Sequence, residues 1–148
     1  ELDVNWSVVE QEQFVSYGRK YFQDDRLQFY STASECFGAH SVNVVLLSSV
    51  LPYLEKPYAI LDELLALKPG VFIFDKMPFL IGGETDLLTV QRVHPGIYAA
   101  SYPAWFFNEQ KFLKILNEEY ELVATFSDNE PSNVPAVFKG LVARRKNK

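Results

Sequence analysis

The sequence predicts an α/β protein built on an open, largely parallel sheet, and three observations carry that reading. The first is the stretch from Val42 to Asp75, which runs strand, turn, amphipathic helix, turn, strand. Strands joined by a crossover helix lie parallel, and ligands of such sheets bind beyond the carboxyl ends of the strands. The second is composition: 148 residues suit one domain, and 48% apolar residues with 15% aromatics can supply a core. The third is an absence, because no glycine-rich nucleotide loop precedes this unit in the chain. A cofactor-type scaffold therefore comes without its usual phosphate loop.

The elements follow in order. Trp6 to Glu10 is a short apolar run ending in an acid and reads as a buried strand. Gln11 to Phe22 reads as a helix, with Phe14, Tyr17, Gly18, Tyr21 and Phe22 at helical spacing. Gly18 weakens that helix by about 1 kcal/mol relative to alanine unless close packing needs the missing side chain. Asp24-Asp25 marks a turn, Leu27 to Tyr30 a second strand, and Ser31 to Gly38 a polar turn with at most one helical turn.

Val42 to Leu47 is nearly continuous and rich in β-branched residues, as expected of a strand covered on both faces. Pro57 opens the next helix, whose apolar face is Ile60, Leu61, Leu64 and Leu65. Lys68 suits the negative end of its dipole, and Pro69-Gly70 stops it. Val71 to Phe74 is the following buried strand, closed by Asp75. The segment 76–103, with Pro78, Gly82-Gly83, Pro95-Gly96 and Pro103, reads as a long insertion or substrate loop in which Leu87 to Val93 forms a brief strand or helix. Asn108 caps a last helix with Phe112, Leu113, Ile115 and Leu116 inward. Tyr120 to Phe126 and Val137 to Ala143 form two strands, expected as an antiparallel hairpin at the sheet edge.

Charge and cysteine content narrow the function. A formal net charge of -5 argues against nucleic acid as a partner. Arg144, Arg145, Lys146 and Lys148 read as a solvated basic tail. Cys36 is the only cysteine, so neither an internal disulfide nor a cysteine-rich metal site forms, and it reads as a small apolar residue. Two histidines with scattered acids give no ligand spacing, and no metal is expected. No apolar run reaches the roughly 18 residues that span a bilayer, and no signal peptide opens the chain. The expected setting is cytoplasmic, with no membrane partner. The chain opens almost directly on a strand, which suggests a piece of a longer protein.

The order of elements, and the phrase from Ser48 through Phe74 with its Lys68-Pro69-Gly70 break, resembles the later part of a class I S-adenosylmethionine-dependent methyltransferase domain. The phrases Phe74-Asp75-Lys76-Met77-Pro78-Phe79, Thr89-Val90-Gln91, Ile97-Tyr98 and Ser101-Tyr102-Pro103 resemble, more narrowly, a family of bacterial methyltransferases of unknown substrate. That family more often carries arginine at the position of Lys76, so charge is kept and the bidentate fork is lost. The resemblance covers roughly Trp6 to the end. It implies a three-layer, Rossmann-like sheet in the order 3-2-1-4-5-7-6, of which this chain carries strands 2 to 7. Strand 1 and its glycine-rich loop are missing from the middle, so residues 1–148 would form the C-terminal part of one longer domain. Such an open centre invites completion by an upstream segment, homo-oligomer formation with strand exchange, or direct pairing of strands 2 and 4 in an altered fold.

The candidate site residues divide by role. Glu10 ends the first strand, where an acid can accept hydrogen bonds from ribose hydroxyls; the alternative is a helix-start acid favoured by the dipole. The resemblance implies that Glu10 binds the ribose of S-adenosylmethionine, with Tyr30 and Ser31 near its adenine and Ser48 and Ser49 near its methionine part. Tyr53 either faces the substrate or packs over Leu54. Asp75 beside Lys76 could orient a nucleophile or bind an anionic substrate, or simply end a strand in solvent. His94 has the side-chain chemistry of a general base, although a lone loop histidine also serves structure. Tyr102, with Trp105, Phe106 and Phe107, either anchors the long loop or stacks on a ligand. The expected function is methyl transfer from S-adenosylmethionine to a small-molecule acceptor, with this piece inactive alone. The competing reading is a non-catalytic scaffold or protein-interaction domain on the same fold.

Overall fold

The computed structural model describes residues 4–147, in two compact units, Glu1–Val42 and Asn43–Lys148. The first unit holds β1 (Trp6–Val9), α1 (Glu12–Tyr21), β2 (Leu27–Tyr30) and α2 (Ala33–Ala39). β1 and β2 run parallel, in register from Trp6 opposite Leu27 to Val9 opposite Tyr30. α1 lies where the 3.6-residue pattern predicts, but its face is reversed. Phe14, Tyr17, Tyr21 and Phe22 are all more than half exposed, and the buried residues are Val15 and Gly18. The reason is Gly18, where an added Cβ would stand 2.4 Å from the Phe29 ring on β2. The helix approaches the strand through its smallest residue, and the larger aromatics turn outward. α2 is longer than the single turn expected, because Thr32 caps it by accepting the Glu35 N–H at 3.1 Å and Cys36 is buried beneath it.

The second unit holds β3 (Val44–Ser48), a 3-10 turn at Leu51–Tyr53, α3 (Pro57–Ala66), β4 (Val71–Leu80), β5 (Leu87–Arg92), β6 (Ser101–Phe106), α4 (Glu109–Leu116), β7 (Tyr120–Asp128) and β8 (Ala136–Arg145). Its main sheet has the order β3-β4-β8-β7. β3 and β4 are parallel, as their crossover helix requires, whereas β8 is antiparallel to both β4 and β7. The expected terminal hairpin is therefore present, with β7 at the edge and β8 inserted beside β4. The basic residues expected as a tail belong to this sheet. Arg144 and Arg145 end β8, with Arg144 bonded to Glu121 and Arg145 to the Lys68 carbonyl. Lys148 lies outside the described residues.

β4 departs most from expectation. It does not stop at Phe74 but continues to Leu80 across a β-bulge between Phe74 and Met77. The bulge changes the phase of the alternation. Phe72 and Phe74 before it and Met77 and Phe79 after it are all 0% exposed. Phe74 and Phe79 both meet the α4 ring Phe112, at centroid distances of 5.3 and 5.7 Å. A strict two-residue period would have turned Met77 and Phe79 to the opposite face. Tyr120 and Phe107 complete this aromatic core. β3 is covered on one face rather than two: Leu47 is buried, whereas Val44 and Leu46 are exposed among the described residues.

The segment after β4, expected as a long insertion with a brief strand or helix at Leu87 to Val93, is an ordered hairpin whose first strand lies there. β5 pairs antiparallel with β6, from Leu87 opposite Phe106 to Arg92 opposite Ser101. Its base is held by Asp86, which accepts from the Tyr58 hydroxyl at 3.1 Å, from the Asn108 N–H at 2.7 Å and from Lys111. Lys111 also lies over the Tyr58 ring, at 4.1 Å from its centroid. This network ties the start of the hairpin to α3 and to the first turn of α4, where Asn108 caps by accepting the Lys111 N–H at 2.7 Å. Burial first, and the Asp86 carboxylate second, push the Tyr58 phenol well above its ordinary range.

Two predictions follow from these contacts. Gly18→Ala should lower stability by about 1–2 kcal/mol, read as a lower urea midpoint, because overlap with Phe29 outweighs the helix preference for alanine. A raised midpoint would show that the ring moves aside. Tyr58→Phe should cost about 1 kcal/mol near neutral pH. The folded-state pKa of Tyr58 lies above the unfolded value of about 10, so that advantage is constant below about pH 9 and shrinks as pH rises further. Denaturation series at several pH values on both proteins check the sign.

Candidate active site

The carboxyl end of β3 and the bulge of β4 carry two strained residues side by side. Ser49 has φ 53° and Lys76 has φ 55°, left-handed conformations that non-glycine residues adopt at a cost of about 1–3 kcal/mol. The Ser49 N–H donates to the Asp75 carbonyl at 3.1 Å, closing the end of the parallel pair. Across the same register position, the Ser48 hydroxyl donates to the Asp75 carboxylate at 2.8 Å. Lys76 sits in the β4 bulge, and its ammonium meets Glu130 at 2.8 Å, on the loop between β7 and β8. Glu130 first, then Asp128 and Asp75, hold the Lys76 pKa above the ordinary lysine value.

Beside this ion pair lies a cavity of about 240 Å³, lined by Ser49, Tyr53, Lys76, Gln91, Tyr102, Trp105 and Glu130, with Pro78 and Phe138 among its apolar neighbours. Tyr53 and Tyr102 form one corner, their rings 5.6 Å apart and inclined at 71°. Burial, followed by the neighbouring Tyr102 and Glu130, raises the Tyr53 pKa. The Trp105 indole N–H donates to the Leu54 carbonyl at 3.1 Å and so fixes β6 over the turn that carries Tyr53. The Thr89 hydroxyl donates to the Ala104 carbonyl at 2.9 Å across the hairpin. The hairpin, an irregular loop on sequence grounds, is thus one wall of the cavity. A second hollow of about 210 Å³, between Asp62–Lys68 and Ile115–Glu119, lies at the amino end of β4, away from these groups.

Tyr53, Lys76 and Tyr102, the residues assigned to substrate on sequence grounds, all line the one cavity, and Ser49 joins them. Asp75 and Ser48 bond to each other at its edge. His94 is elsewhere. It is exposed in the β5–β6 connection, where its Nδ1 accepts the Gly96 N–H at 3.1 Å, and it is not among the cavity residues. In the first unit, Glu10 is exposed just beyond β1, and its Oε2 accepts the following Gln11 N–H at 2.7 Å. Tyr30 ends β2, its hydroxyl 2.6 Å from His40 Nε2. The Ser31 hydroxyl donates to Glu12, the main cause of that carboxyl's lowered pKa. Glu130 and Gln91 were not singled out as site residues from sequence, whereas Trp105 was weighed only within the aromatic cluster of Tyr102. Glu130 lies 54 residues from its partner Lys76, in a turn-rich stretch with no motif to mark it. Among the described residues, no three His, Cys, Asp or Glu side chains cluster to hold a metal, and no helix is long and apolar enough to cross a membrane.

The order β3-β4-β8-β7, with β8 antiparallel, matches the 4-5-7-6 order expected of a methyltransferase sheet, and the separate parallel pair β1-β2 matches the expected pairing of strands 2 and 3. Solved structures match it over nearly the whole chain. A Burkholderia thailandensis 1,6-didemethyltoxoflavin-N1-methyltransferase, with bound 1,6-didemethyltoxoflavin and S-adenosylhomocysteine, is similar at TM-score 0.55 and 14% identity, over 94% of this chain. The fold is that of the S-adenosylmethionine-dependent methyltransferases. The N-terminal domain of EvdMO1, determined in the presence of SAH and D-fucose, is similar at TM-score 0.59 and 14% identity, over 99% of this chain and 68% of that one. A SAM-dependent methyltransferase from Methanosarcina mazei matches at TM-score 0.59 and 11% identity, over 95% of this chain and 82% of that one. This chain spans 59% of the Burkholderia enzyme's length. No protein-family model and no curated protein matches the sequence.

The hairpin wall generates a further prediction. Asp86 has 8% of its side chain exposed and accepts three hydrogen bonds. Asp86→Ala should cost about 2–3 kcal/mol, since it orphans partly buried donors on two helices. Amide exchange across β5 and β6 should accelerate more than exchange in β7, and equal acceleration in both would count against the anchoring role.

Proposed function

We propose that this chain is the catalytic part of an S-adenosylmethionine-dependent methyltransferase whose acceptor is a small molecule bound in the 240 Å³ cavity where the parallel pairing of β3 and β4 ends. The observation that carries the reading is the coincidence of that cavity with the ligand-binding end of a methyltransferase-type sheet. Its modest volume suits one small ring or chain rather than a large ligand. Two similar structures support a small acceptor, since one holds 1,6-didemethyltoxoflavin and another was determined with D-fucose.

The residues available fit the cofactor's chemistry. Glu10 has an exposed carboxylate whose one hydrogen bond, to Gln11 N–H, leaves acceptor capacity for a ribose diol. Tyr30 and Ser31 are assigned to the adenine side, and Ser48 and Ser49 to the methionine side. S-adenosylmethionine, when bound, supplies an electrophilic methyl group on a sulfonium. Everything else is positioning: Tyr53 and Tyr102 hold the acceptor in the cavity that Lys76 also lines, and the Ser48–Asp75 pair stiffens the rim against which it is aligned. Asp75 is the carboxylate at that rim available to take a proton from the acceptor. His94 is left out of this site, because its ring caps a turn in the β5–β6 connection.

Calorimetric titration of the full-length natural protein with S-adenosylmethionine tests the reading. Saturable binding is expected, weakened about tenfold or more in Glu10→Gln with the circular dichroism spectrum unchanged. A folded protein with no saturable binding would instead support the non-catalytic scaffold.

A further inference from the structure

The acceptor cavity has a chemical bias that the fold does not dictate. Its walls combine three aromatic side chains, Tyr53, Tyr102 and Trp105, with the Lys76–Glu130 ion pair. Acidic side chains outnumber the lysine around this end of the cavity: Glu130 pairs with Lys76 at 2.8 Å, Asp75 precedes Lys76 in β4, and Asp128 ends β7 two residues before Glu130. Aromatic faces and excess carboxylate favour the same kind of guest, an organic cation. An anionic guest would meet repulsion from the surrounding carboxylates. The Lys76 ammonium already occupies a cation position in this cavity, 2.8 Å from Glu130.

From this we infer that the cavity selects acceptors carrying an ammonium group, which displaces Lys76 from Glu130 and docks against the aromatic wall. The inference rests on the cavity being the acceptor site. The exchange is feasible because the Lys76 and Glu130 side chains are 43% and 40% exposed, so their pairing is weak. Lysine also has a flexible stem that can swing outward. Glu130 is then a specificity residue and Lys76 an internal competitor, which gives the two residues opposite effects on one ligand.

The test uses three probes of nearly the same shape: choline, its neutral isostere 3,3-dimethylbutan-1-ol, and the anion 3,3-dimethylbutanoate. Each is titrated into the chain with nuclear magnetic resonance detection at the Gln91 side-chain amide, the Trp105 indole N–H and the Lys76 backbone amide. Choline should bind about fivefold more tightly than the alcohol, and the anion weakest. Glu130→Gln should weaken choline about fivefold, whereas Lys76→Met, which keeps a Cβ in the left-handed bulge, should tighten it. A merely structural ion pair predicts the same sign for both variants. Equal affinity for choline and the alcohol, preference for the anion, absence of saturable shifts with choline, or weakening by Lys76→Met would each overturn the inference. The wild-type comparison needs no variant to fold. Choline binding without S-adenosylmethionine binding would retain the cation site and reject the methyltransferase reading, so the two failures are distinguishable.

Discussion

The bulge at Asp75 and Lys76 in β4 is the constraint on which the second unit depends. β4 pairs with a parallel neighbour on one side and an antiparallel one on the other, and it must bury apolar side chains along ten residues. Without the phase change, either Phe72 and Phe74 or Met77 and Phe79 would face away from α4. With it, Phe112 packs against Phe74, Phe79 and Phe107 in one cluster. The bulge also ends the pairing with β3, and beyond it Phe107 bonds to β4 in that strand's place, its N–H donating to the Pro78 carbonyl at 2.9 Å.

The same irregularity makes the cavity. It sets Lys76 in a left-handed conformation, next to the equally strained Ser49, at the end of the parallel pair. Backbone strain of this sort persists only where surrounding structure over-determines it. Here that structure is the aromatic core below, the Ser48–Asp75 bond at the rim and the hairpin wall tied down through Asp86. Core packing and the candidate active site are therefore two consequences of one extra residue in a strand. The inferred cation preference is a separate layer, resting on Glu130 of the β7–β8 loop, which meets Lys76 at 2.8 Å.

Much of this was legible in the sequence. The parallel β3–β4 unit and its crossover helix follow from periodicity and from Pro57 and Pro69-Gly70, because these signals are local. Asn108 caps where its side chain predicts. The spacing Phe72, Phe74, Met77, Phe79 already contains the bulge, yet a strand read by strict alternation ends at Phe74. The hairpin of β5 and β6 was obscured by Pro95-Gly96 and Pro103. Pro103 is tolerated because β6 has a single strand partner, leaving an edge where no ladder N–H is required. The outward face of α1 was also hidden, since helical spacing identifies a stripe but not the element that receives it.

Sequence by itself determined the parallel unit, the helices and the last strand pair, and it named Tyr53, Lys76 and Tyr102, which line one cavity. These depend on chain-local propensities and on side-chain chemistry placed at strand ends. Tertiary structure alone decided that β8 enters between β4 and β7, that Glu130 crosses 54 residues to reach Lys76, and that Asp86 anchors the wall. Such pairings are settled by which faces and charges must be satisfied together in the packed state. The strand–helix–strand unit identifies the scaffold; the bulge at its end and the carboxylates around it decide what the scaffold can hold.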